Sequence, residues 1–131
     1  MFQKDREVVA TYVRETKERL KTIEDGVRVL ERQPEKVGTE LVHEIFRATH
    51  SIKAGANLLQ YTPIEDLAHL MESILLGYRT GELTPSLAST APLQDGVDAI
   101  RVLIENLNQR DSFNIAPELR RLARVLDPGA A

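Results

Sequence analysis

Apolar residues recur every three or four positions through most of the chain. In the first segment Phe2, Val9, Val13, Thr16, Leu20, Ile23, Val27 and Leu30 fall on one stripe, the spacing of an amphipathic α-helix. Gly26 interrupts the segment and is expected to cost about 1 kcal/mol against alanine. Pro34 and Gly38, within RQPEKVG, break the pattern. A second helix is predicted from near Thr39 to about Gln60. A third opens with TPIE, where Thr62 reads as N-cap, Pro63 as the first helical residue and Glu65 as the capping-box partner. It carries Ile64, Leu67, Met71, Leu75 and Tyr78 and stops near Gly81, a C-cap. The fourth has a start signal at Thr84-Pro85 and meets Pro92, which is expected to kink or restart it. It is firm from Val97 through Ile100, Leu103, Ile104 and Leu107. A short fifth helix after Phe113 carries Leu119, Leu122 and Val125 or Leu126. No alternating strand pattern and no internal repeat interrupts this series. Short loops between long amphipathic helices imply an all-α fold: an antiparallel up-down-up-down four-helix bundle with a shorter fifth helix against one end or side.

Composition narrows the function classes. The chain has 131 residues and a net charge of −3, which argues against broad nucleic-acid binding. No apolar run approaches the ~20 residues of a membrane span. The N-terminus is charged by its fourth residue and shows no signal peptide. Cysteine is absent, so disulfides, thiol catalysis and cysteine zinc sites are excluded, which fits a reducing, cytoplasmic setting. One domain is expected over residues 1–126. The tail at 127–131, DPGAA, reads as the start of a linker, so the chain is expected to be a piece of a longer protein.

The second helix has two different faces. Advancing about 100° per residue, Leu41, Ile45, Ala48, Ile52, Ala56 and Leu59 form the core stripe. His50 falls nearly opposite, among His43, Phe46, Ala54 and Asn57, with Arg47 and Lys53 flanking it. Most such surface histidines are merely solvated. Three features raise this one. Ala54 and Gly55 leave space beside the imidazole, Lys53 lies one turn away, and Phe46 puts a large apolar group on the wet face. On the third helix Glu72 lies at the margin of the core stripe, where periodicity alone leaves two readings open: a carboxylate that reaches a neighbouring helix, or a solvated flank residue. His69 lies one turn earlier, further round towards solvent.

IFRATHSIKAGA and LAHLMES together resemble the histidine-containing phosphotransfer (HPt) family. Its core pattern is H-x-x-K-G after an F-R-x-x-H run, with an L-A-H-x-L-E type run on the next helix. The likeness is greatest to the phosphotransfer domains of chemotaxis histidine kinases and covers nearly the whole chain. One departure is clear: Ala54 stands where the family has glycine, with Gly55 next.

The resemblance implies that His50 accepts a phosphoryl group, that Lys53 offsets its charge, and that Glu72, with His69, orients the imidazole by bonding its far nitrogen. Phe46, Arg47, Ala54, Gly55 and Asn57 would form the partner surface. Phosphoryl transfer asks mainly for positioning and charge neutralisation. No glycine-rich nucleotide loop is present. The chain is therefore expected to carry a phosphoryl group without a cofactor of its own, while ATP is bound by a separate histidine kinase catalytic domain. That makes it no enzyme by itself but a fragment of a histidine protein kinase. A CheY-like response-regulator receiver domain would take the group onto an aspartate. No nucleic acid or membrane partner is expected, and the isolated domain is expected to be a monomer. A free-standing or hybrid-kinase phosphorelay shuttle is the alternative within this class, and a degenerate bundle serving as an adaptor without chemistry is another. A metal-binding helical bundle is the alternative outside it, using His43, His50 and His69. Such bundles draw on inward Glu and Glu-x-x-His ligands, whereas His50 is expected to face water.

Overall fold

A computed structural model describes residues 6–129. Phe2, placed on the first stripe above, and the last two residues of the tail lie outside them. The described chain is helical throughout: α1 (Arg6–Arg32), α2 (Glu40–Leu59), α3 (Thr62–Thr80), α4 (Leu87–Glu105) and α5 (Ala116–Leu126). Short 3-10 turns, Pro34–Gly38 and Leu107–Ser112, join α1 to α2 and α4 to α5. α1 to α4 close a four-helix bundle in which α1 packs on α2 and α4, and α3 on α2 and α4. The fifth helix lies along the side formed by α3 and α4 and sends Leu122 into the core.

The core follows the helical period. Leu20, Ile23, Val27 and Leu30 from α1 meet Ile45, Ile52 and Leu59 from α2, Ile64, Leu67, Met71 and Tyr78 from α3, and Val97, Ile100 and Leu103 from α4. Two stripes are rotated from their expected positions. On α1 Tyr12 is buried, while Val9 and Val13 are only half-buried. On α2 Val42 and Thr49 are buried, while Leu41 and Ala48 are half-buried. Each correction swings the stripe towards the neighbouring helices, whose positions no single-helix pattern contains.

Thr39 caps α2 by accepting a bond from the Leu41 amide, and Gly81 closes α3 in the left-handed region at φ 82°. The α3 start differs: Tyr61 is the N-cap, Thr62 is already helical, and no side-chain capping bond forms. At α4 the cap is Ser86, which exchanges reciprocal bonds with Ser89, two residues beyond the Thr84-Pro85 signal. Pro92 neither ends nor restarts α4, which is continuous through it; the helix forgoes the bond that residue 92 would give the Ala88 carbonyl.

Gly26 is a packing residue, not a blemish. A Cβ there would fall 2.4 Å from Ile45 Cγ2, a methyl fixed on a stiff β-branched side chain. The absent side chain is what lets α1 approach α2 this closely. Gly26→Ala is therefore expected to lower stability by about 1–3 kcal/mol through overpacking, against the ~1 kcal/mol that helix propensity alone would add. Chemical denaturation gives the sign directly: a raised midpoint would show that the contact relaxes freely.

Candidate functional site: the α2–α3 seam

A two-residue connection brings α2 back against α3. Gln60 adopts φ 63°, a left-handed geometry that strains a residue with a Cβ. The Tyr61 amide bonds back to the Ala56 carbonyl at 2.8 Å. The helices then run side by side, and polar pairs face each other across the seam on either side of this turn. Nearest the turn, Asn57 Nδ2 donates to Glu65 Oε2 at 2.7 Å. Further along, Glu72 takes two donors. Its Oε2 lies 2.5 Å from His50 Nδ1 and its Oε1 accepts from Lys53 Nζ at 2.6 Å. Furthest from the turn, the Arg79 guanidinium lies over the Phe46 ring, 5.1 Å from its centroid. Glu65, Glu72 and Arg79 recur every seven residues, so they share one edge of α3.

The central triad has a defined electrostatic arrangement. The Glu72 side chain is only 13% exposed, whereas that of His50 is 57% exposed. Burial pulls the Glu72 carboxyl upward, but the hydrogen bonds and charges of Lys53 and His50 outweigh it and hold the group below its ordinary value. Glu72 is thus a carboxylate at neutral pH, and a carboxylate only accepts. An imidazole with a single ring proton therefore holds it on Nδ1, which leaves the lone pair on Nε2. Lys53 fixes the carboxylate from its other oxygen. The result is an exposed imidazole held through Nδ1 by a carboxylate that a lysine in turn anchors. Around it His43, Phe46, Arg47, His50, Ser51 and Glu72 line a shallow concavity.

The α1 side of α2 is held by Tyr12. Its hydroxyl donates to the Ile52 carbonyl at 3.0 Å, its ring stands 5.9 Å from that of Tyr61, and burial pushes its phenol up to about 12.

The family model for the Hpt domain matches residues 7–110. The chain belongs to the Hpt domain family. As an Hpt domain it is similar to the chemotaxis protein CheA of Bacillus subtilis, with 29% identity over 113 residues, covering 82% of this chain and 16% of that protein. It is also similar to CheA of Klebsiella aerogenes, with 32% identity over 103 residues, covering 72% of this chain and 16% of that protein. The chain thus spans about one sixth of the length of these relatives. Among solved structures, the solution structure of the histidine phosphotransfer domain of CheA superposes with a TM-score of 0.78 at 28% identity, covering 90% of each chain. The CheA phosphotransferase domain from Thermotoga maritima gives 0.67 at 32% identity, covering 81% of this chain and 99% of that one.

Not every residue singled out in the sequence gathers at this Hpt site. His50, Lys53 and Glu72 do, with Phe46 half-buried beside them and Arg47, Ala54 and Asn57 exposed on α2. His69 does not. It is exposed on the other flank of α3, in a groove with Asp66, Leu70, Leu119, Arg120 and Ala123, so α5 and not the imidazole is its neighbour. Gly55 also departs from the expected partner surface. A Cβ on it would lie 2.4 Å from Tyr12 Cε1, so its missing side chain makes room for Tyr12 inside the bundle and does not clear space for a partner outside. Tyr12 and Arg79 were not singled out in the sequence. Tyr12 lies one turn before Thr16 on the core stripe, and Arg79 repeats the Glu72 position two turns on. Among the described residues no group of three or more His, Asp or Glu side chains is placed to hold a metal ion, and no helix is long and apolar enough to cross a membrane.

Proposed function

We propose that this Hpt domain is a phosphoryl carrier of a chemotaxis-type two-component system. His50 Nε2 attacks the γ-phosphorus of ATP held by a separate histidine kinase catalytic domain. A P–N bond forms as the bond to ADP breaks, and the ring keeps its Nδ1 proton. The cationic phosphoimidazole is stabilised by the Glu72 carboxylate, which Lys53 holds in place. An aspartate of a CheY-like receiver domain then attacks the same phosphorus. The P–N bond breaks, an acyl phosphate forms, and neutral His50 is regenerated.

The observation that carries this reading is the Nδ1–Glu72 bond on an exposed histidine, because it leaves Nε2 unprotonated and accessible. The CheA phosphotransfer domains it superposes on support the same assignment. Phosphoryl transfer depends chiefly on positioning and electrostatics, so a carrier needs little more than this triad. ATP binding and the choice of substrate belong to other domains.

The test is incubation with a CheA-type catalytic domain and γ-labelled ATP, followed by addition of a receiver domain. The expected result is an acid-labile, alkali-stable label on this chain that leaves within one turnover once the receiver is added. An acid-stable label, or one that the receiver does not remove, would overturn the assignment.

A further inference from the structure

Arg79 is the one member of the α3 seam series whose charge meets no opposite charge or hydrogen-bonding side chain. Glu65 is bonded by Asn57 and Glu72 by His50 and Lys53. Arg79 rests on the Phe46 ring and makes no ion pair among the described residues. An aromatic face attracts a guanidinium without neutralising it, and a stacked guanidinium keeps its N–H edge free for oxygen acceptors. Phe46 in turn lines the concavity at His50. On the opposite rim, Arg47 is exposed and likewise has no carboxylate partner among the described residues. Glu72, the carboxylate lining the concavity, is already bonded to Lys53 and His50. Glu44 lies one turn before Arg47 on α2, is exposed and makes no ion pair with it among the described residues. An acidic chain, with net charge −3, thus presents two uncommitted guanidinium groups around its acceptor histidine.

We propose that Arg79, held in place by Phe46, is a docking cation for the aspartate-bearing face of the receiver domain. The proposal rests on the phosphoryl-carrier reading and names the step in which the cation acts. When the kinase approaches, His50 carries no phosphoryl group. When the receiver approaches, His50 bears a phosphoryl group of about −2 charge, and the incoming nucleophile is itself a carboxylate. Like-charge repulsion is therefore largest in the second step, where rim cations reduce it and steer encounter. Arg79 does not touch the reacting atoms. Its contribution lies in association, and ionic strength screens it.

The experiment measures transfer from the pre-phosphorylated chain to a receiver domain, for wild type, R79Q, R79K and F46L, at low and high salt. At ~0.05 M salt, R79Q is expected to lower kcat/KM about fivefold, the size of one exposed charge pair. At ~0.5 M salt, where the screening length falls below about 5 Å, the difference should shrink to within about 1.5-fold. R79K should recover most of the loss. F46L, which removes the ring but keeps an apolar side chain, should reproduce part of it. For R79Q and R79K, labelling by the kinase domain and the thermal midpoint should stay at wild-type values. Equal transfer by wild type and R79Q at low salt would overturn the proposal, as would a loss that persists at high salt or is matched in the kinase step. A chain that takes no label at all would instead overturn the carrier reading, so the two failures are distinguishable.

Discussion

The His50→Gln variant takes up no acid-labile label from the kinase domain and labelled ATP, a fall of more than about 10³-fold of the kind that follows removal of a nucleophile. Two neighbours line the same concavity and neither replaces it. Among the described residues no base bonds the Ser51 hydroxyl, and no Glu72 equivalent fixes the tautomer of His43, two turns away. The loss is chemical and not structural. His50 is 57% exposed, and the glutamine amide can still donate to Glu72, so the change in stability stays within about 0.5 kcal/mol. Urea titration should superimpose the two unfolding curves. An acid-labile label on the variant at the wild-type level would move the acceptor elsewhere and undo the reading of the seam.

Much of the fold was legible because each helix writes its own period. The α2 start near Thr39, the Gly81 stop and the outward setting of His50 are local facts, fixed by neighbours within one or two turns. What the sequence left hidden depends on where a second helix stands. Gly26 and Gly55 look like helix weaknesses when read alone, yet they mark the closest approaches, to Ile45 and to the Tyr12 ring. His69 and Glu72 lie only one turn apart on α3, but α5 covers one flank and α2 the other, so only Glu72 reaches the imidazole. Lys53 was expected to meet the phosphoryl group. Its observed partner is Glu72, which makes the lysine an anchor for the carboxylate before any phosphate arrives.

That anchoring sets the expected behaviour of Glu72 variants. Glu72→Ala should slow labelling by about 10–100-fold, the usual cost of losing a group that orients a reactive imidazole. The alanine frees Nδ1, so the proton distributes between both ring nitrogens and the productive tautomer becomes a fraction of the population. It also removes the anion that stabilises the ring once Nε2 is phosphorylated, a contribution made only as charge develops. Glu72→Gln separates the two effects. Its amide oxygen can still accept from Nδ1, so the tautomer is kept while the charge is lost, and its rate should fall between wild type and alanine. Neither change should unfold the bundle. Lys53 is 26% exposed, so its freed ammonium can turn to water, at a stability cost of about 1 kcal/mol. Nitrogen-15 NMR of the His50 ring reads the tautomer, and the initial rate of labelling reads the chemistry. A Glu72→Ala protein that labels at the wild-type rate while its ring tautomer is scrambled would show that transfer does not depend on the fixed Nδ1 proton. A rate that falls in step with the Nε2-unprotonated fraction, and falls further by the missing charge, is what an imidazole held from behind by a carboxylate should give.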